Sequence, residues 1–156
     1  MPLFGKDAKL YYSSALKTTA SDSDALTWTE VTAIGDLTDS FSPTDVDITT
    51  RATAALGWEA TATVLKSGEI TFTYIPESVV AAGDATFAAL LAAFLNGTAI
   101  AMMDLSGAKS AVTSIGLAAN FSVGMTWGKP VKGVQTSDFT LKIRSFPEWV
   151  TGSATL

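Results

Sequence analysis

Apolar and polar residues alternate with period two along most of this chain. Leu117, Ala119, Phe121, Val123, Met125 and Trp127 alternate with Ala118, Asn120, Ser122, Gly124 and Thr126. That pattern predicts a long strand with one face on a core. Phe139, Leu141 and Ile143 alternate with Thr140, Lys142 and Arg144 in another strand. Trp58 to Leu65 alternates, and so does Glu69 to Tyr74. With Lys66-Ser67-Gly68 between them, these two runs predict a hairpin, ended by Pro76. Shorter strand signals cover Ala8–Ser13, Trp28–Thr32, Leu37–Phe41 and Thr98–Asp104. Residues 13–25 and 105–114 read as loops, and Ser42-Pro43-Thr44-Asp45 as a turn.

One segment breaks the period. Phe87, Leu90, Leu91, Phe94 and Leu95 follow helical spacing, with Asp84 where an N-cap belongs and Asn96-Gly97 where a C-cap belongs. The expectation is a helix over residues 84–96, with all five side chains on the core. Together these signals predict a mostly β domain spanning residues 1–156. It is an antiparallel sandwich or barrel of about seven or eight strands with one flanking helix. A long polar, β-prone stretch stands apart at about 42–58, and a short C-terminal tail is expected at 146–156.

Composition narrows the chemistry. The chain has neither His nor Cys, which removes the common nucleophile–base pairs, thiolate metal sites and disulfides. The acidic pairs Asp22-x-Asp24 and Asp45-x-Asp47 lie in polar stretches and read as solvated carboxylates. No phosphate loop, dinucleotide fingerprint or calcium loop is present in the sequence. No catalytic, cofactor or metal residue is therefore expected, and the chain is not expected to be an enzyme. Charged residues make up 16% of the chain, below the usual level of about 25%, so part of the apolar surface is expected to be covered by partners. The net charge of −5 argues against a basic nucleic-acid surface. Charge is also uneven. Residues 1–50 hold eight acidic groups against Lys6, Lys9 and Lys17, whereas residues 105–156 hold four lysines and Arg144 against Asp138 and Glu148. Unlike faces could meet if copies stack head to tail. Trp28, Trp58, Trp127 and Trp149 read as core or interface residues. No stretch has the length or flanks of a membrane anchor or signal peptide.

Three stretches resemble one family. Asp45-Val46-Asp47-Ile48-Thr49-Thr50-Arg51 is similar to an Asp-x-Ile-(Asp/Thr)-x-Thr-x-Arg-like stretch in the major tail tube proteins of long-tailed, non-contractile phages. Trp58 to Tyr74 and the helix after it follow in the same order. Val131 to Ile143, with Gly133-Val134-Gln135 and Asp138-Phe139-Thr140-Leu141-Lys142, is similar to the family's late strand. The likeness covers about residues 36–145, and Arg144-Ser145-Phe146-Pro147 departs from it. It implies a fold related to the type VI secretion tube protein and hexameric rings stacked into a virion tail. The arm would be Asp45, Val46, Asp47, Ile48, Thr49, Thr50 and Arg51, reaching a neighbouring ring. The implied partners are other copies of the chain and the tape measure, tail tip and terminator proteins, with DNA only in transit through an acidic lumen and no membrane insertion. The chain would be made in the host cytoplasm. The other readings are a type VI-like tube and a monomeric barrel that binds a ligand or glycan.

Overall fold

A computed structural model of the chain describes residues 5–50, 57, 61–76 and 85–152. Seven strands form one sheet: β1 (Lys9–Ser13), β2 (Thr29–Val31), β3 (Ile34–Asp47), β4 (Thr61–Tyr74), β5 (Ile100–Leu105), β6 (Ile115–Gly128) and β7 (Thr136–Thr151), in the order β2-β1-β5-β6-β7-β4-β3. Every pairing is antiparallel. The sheet folds over on itself, so that Leu10 and Val31 from one end share a core with Ile70 and Phe72 from the other. The result is a β-sandwich with one flanking helix, α1 (Ala85–Asn96).

The longest ladder joins β6 to β7, from Ile115↔Thr151 to Gly128↔Thr136. Its inward residues Leu117, Ala119, Phe121, Phe139 and Leu141 are all buried, as the alternation predicts. Trp127 lies half-buried beside them, and Trp28 is half-buried with its Nε1 donating to Ser23 O at 2.8 Å. The helix docks through Phe87. Its ring lies 5.4 Å from Trp127, 5.9 Å from Tyr74 and 6.2 Å from Phe139. At the other end of α1, Gly97 adopts φ 63°. Its N–H reaches Phe94 O while Thr98 N–H reaches Ala93 O, the paired bonds of a Schellman end.

Four expectations need correction. First, Lys66-Ser67-Gly68 is not a turn, because β4 runs straight through it and pairs with β3 along Phe41↔Gly68, Ser42↔Ser67 and Pro43↔Lys66. A Cβ on Gly68 would sit 2.4 Å from Ile143 Cδ1 and 2.8 Å from Phe41 Cδ1, so glycine serves packing here rather than turning. Second, Ser42-Pro43 is not a turn either. β3 ends the sheet, and an edge strand has no outer partner to miss the N–H that proline lacks. Third, only part of the helix stripe is core. Phe87, Leu90 and Ala93 are buried and Leu91 is half-buried, while Phe94 is 42% and Leu95 69% exposed. At about 100° per residue, Leu95 lies some 140° around the helix from Leu90, and Phe94 falls in the last turn, where the small Ala93 makes the contact instead. Fourth, the expected tail is strand as far as Thr151. The expected N-cap Asp84, together with Arg51 and Trp58, lies outside the described residues.

Phe87→Ala should destabilise the fold by about 3–5 kcal/mol, since a buried ring is lost from an aromatic nest. Leu95→Ala should change stability by less than about 0.5 kcal/mol, as surface substitutions do. Urea denaturation of the two variants measures both, and equal losses would contradict this burial pattern.

Candidate assembly surface

β4 pairs with β7 only from Glu69↔Lys142 to Tyr74↔Ser137. Its other half, from Thr61 to Gly68, pairs with β3 alone. Residues Ser42–Asp47 and Thr61–Ser67 therefore form a two-stranded ribbon that leaves the main sheet. Among the described residues no third strand pairs with either of its edges, and such a pair is marginal in water without further contacts. Asp45, Val46 and Asp47 lie in β3 and Ile48, Thr49 and Thr50 follow it, so the structure brings six of the seven predicted arm residues together. Val46 is 48% and Ile48 52% exposed. Asp47 Oδ1 accepts from Thr49 N–H at 2.8 Å. Hydrogen bonds from the Thr49 hydroxyl and N–H hold the Asp47 carboxyl below its usual value, against a smaller opposing effect of burial.

Where β4 departs, a groove of about 420 Å³ opens between it and β7, lined by Phe41, Pro43, Leu117, Ile143, Pro147 and Trp149. Trp149 is 72% exposed, and its ring lies 5.7 Å from that of Phe41. β7 carries two extra residues here, because Ala118↔Glu148, Asn120↔Ser145 and Phe121↔Ile143 are successive rungs. Phe146, just before Pro147, takes up the bulge with φ 51°, in the left-handed region that non-glycine residues seldom visit. This is the segment where the sequence departs from the family pattern.

The bulge aims Glu148 at a buried cation. Lys17 is 2% exposed, and its Nζ donates to Glu148 Oε2 at 2.6 Å and Asp22 Oδ1 at 2.9 Å. Asn120 brackets the Lys17 backbone, accepting from its N–H and donating to its carbonyl, each at 2.9 Å. Ser23 adds Oγ to Glu148 Oε1 at 3.0 Å. Hydrogen bonds from the Thr18 N–H and from Lys17 hold Asp22 well below the usual carboxylate range, burial opposing them. Burial alone would raise Glu148, but the bonds from Lys17 and Ser23 outweigh it and lower that carboxyl. A charge so buried persists only when paired in this way. The sequence reading took residues 13–25 for an exposed loop; nothing local marks Lys17 for burial, since its partners are up to 131 positions away.

A second polar contact joins the sandwich layers. Asp104 of β5 is buried and hydrogen-bonded to Asp39 of β3, and burial, that bond and the neighbouring charge push its carboxyl up to about 8. At neutral pH it holds its proton and donates to Asp39. Among the described residues no cluster of three metal-ligating side chains exists, and no helix is long and apolar enough to cross a membrane. The surface offers exposed strand edges, an aromatic groove and segregated charge, features that suit association.

No protein-family model and no curated protein sequence matches the chain. Solved structures do. The tail of an empty gene transfer agent particle, solved with C6 symmetry, superposes with a TM-score of 0.69 at 15% identity, over 96% of this chain and 100% of that one. The virion of a native gene transfer agent gives 0.67 at 11% identity, with coverage of 96% and 100%. The SPP1 tail tube gives 0.65 at 14% identity, with coverage of 97% and 81%. At these identities the likeness is one of fold, and the fold is that of tail tube subunits.

Stability should have two opposed pH limbs. Asp104 keeps in the folded state a proton that it loses near pH 4 when unfolded, so stability should fall as pH rises through the interval up to about 8. Asp22 and Glu148 are depressed, so the stability they confer is present above their ordinary range and is lost as pH falls. Thermal melts of the wild type and Asp104→Asn across this range should show the falling alkaline limb in the wild type and a flatter one in the variant.

Proposed function

We propose that this chain is the structural subunit of a phage-type tail tube, that its copies close into six-membered rings, and that the rings stack around a lumen which conducts DNA. The observation that carries the reading is the likeness to three tail and virion structures over nearly the whole chain. The C6 symmetry of one of those tails supports six copies per ring. The ribbon supports the stacking, because a strand pair with no third strand beside it among the described residues can take another chain as that strand. The role is architectural rather than catalytic, and needs no cofactor. An acidic lumen wall would repel phosphates and leave DNA free to slide, which suits a net charge of −5. The partners of such a subunit are its own copies along the tube and, at the tube's ends, the tip, terminator and tape measure proteins. Its place is the virion tail, after synthesis in the host cytoplasm.

The ribbon can be trimmed cleanly, because Thr44 and Leu65 are directly paired. Replacing residues 45–64 by Asn-Gly joins them through a two-residue turn of the preferred type. The shortened chain should keep the wild-type circular dichroism and a melting temperature within a few degrees, as none of the described residues of the removed stretch lies in the buried core. Negative-stain images should show tubes for the wild type and none for the variant. Normal long tubes from the variant would remove the ribbon from the stacking contact.

A further inference from the structure

The ribbon and the connection between β6 and β7 lie at opposite ends of the molecule and carry opposite charge. The register fixes their positions. Asp47↔Thr61 closes the described ribbon at one end, while Ile34↔Tyr74, Tyr74↔Ser137 and Ser137↔Trp127 line up at the other, where residues 129–135 emerge. Thirteen residues of extended chain separate Thr61 from Tyr74, a span of roughly 40 Å. Residues 42–67 hold Asp45, Asp47 and Glu59 against Arg51 and Lys66, Lys66 lying at the end of the ribbon nearest the main sheet, and residues 128–137 hold Lys129 and Lys132 with no acidic residue. Each end also exposes aliphatic side chains: Val46 at 48% and Ile48 at 52% on the ribbon, Val131 at 102% and Val134 at 65% on the connection. Lys129 is engaged, its Nζ lying 3.9 Å over the Trp127 ring. Gly133, at φ 128°, lets the connection double back and present Val131, Lys132 and Val134. The nearest acidic residue in sequence, Asp138, already accepts from the Thr73 hydroxyl at 2.9 Å, and Asp36 lies at this end two strands away on β3.

We infer that the β6–β7 connection is the socket for the ribbon of a second copy, with Lys132 facing Asp47 and Val131 and Val134 covering Val46 and Ile48. Within one subunit the two ends cannot meet, because the separation is several times the screening length of about 8–10 Å. Between copies shifted along the strand direction they meet head to tail. Such a contact joins unlike surfaces and so propagates rather than closing on itself. The aliphatic side chains contribute burial, and the charges set direction and register, since a copy stacked in the reverse sense would face acid with acid. This rests on the tube reading above and names the surface that receives the ribbon.

The test is a charge exchange in the full chain, read as the protein concentration at which polymer first sediments. Lys132→Glu and Asp47→Lys should each raise that concentration roughly tenfold or more at low salt, and the double variant should return to within a few-fold of wild type, as coupled charge pairs do. Val131→Ser should raise it in a salt-independent way. Melting temperatures should not move, since all these positions are exposed. Wild-type assembly matched by Lys132→Glu overturns the socket and leaves the tube reading standing. Single losses without rescue in the double variant overturn the pairing of these two residues. A wild type that stays monomeric at every concentration overturns both readings.

Discussion

The ladder between β6 and β7 carries the rest of the molecule. Its inward residues form the floor on which α1 sets Phe87, and its edges receive β5 on one side and half of β4 on the other. Because the sheet is a single folded layer, each of the remaining strands reaches the core only through this pair or through a strand hung from it. Arg144 ties the helix to the same ladder, its Nη1 donating to Gly97 O at 3.3 Å, where a cation also meets the negative end of the helix. The bulge at Phe146 is tolerable here because strong pairing continues on both sides of it.

What the ladder does not hold is as informative. β4 leaves β7 at Gly68, where the Phe41 ring and the Ile143 side chain fill the space a Cβ would need. From that point the hairpin has no third strand among the described residues, Phe41 and Val46 are exposed, and an aromatic groove is left between the diverging strands. The fold thus carries 6 residues of β3 and 7 of β4 beyond the reach of β7, paired only with each other. The two polar contacts have the opposite character. The Lys17 clasp and the Asp39–Asp104 pair lie on the subunit's own seams, one fastening the N-terminal segment to β7 and the other holding β3 across β5.

Period-two patterning was legible where one face is buried and the other wet. It located β6, the first half of β7 and the inner half of β4, and helical spacing located α1, while β5, buried on both faces, was marked only as a short apolar run. It failed where two structures share one vocabulary. Ser42-Pro43 and Lys66-Ser67-Gly68 have turn composition, but an edge strand tolerates the proline and a packed ring demands the glycine. Only the register distinguishes these cases, and register is a long-range property. Leu95 obeys the helical template and still faces solvent, because spacing reports a stripe but not which neighbour it meets. Lys17 was invisible for a similar reason: Asp22 is local, but Glu148 and Asn120 arrive from the far end of the chain. The arm residues were named through resemblance and not through pattern, since Asp45 to Ile48 are all exposed and leave periodicity no buried face to register.

The clasp between Lys17 and Glu148 has a consequence for synthesis. The first cation to be buried must wait for a carboxylate 131 positions later, and the longest ladder cannot close until β7 has left the ribosome. At about 5–20 residues per second, the N-terminal segment stays unfinished for roughly 7–26 s. A chain with so much non-local pairing gains little by folding early. The subunit is therefore expected to reach its final shape only after the ribosome has delivered its last strand.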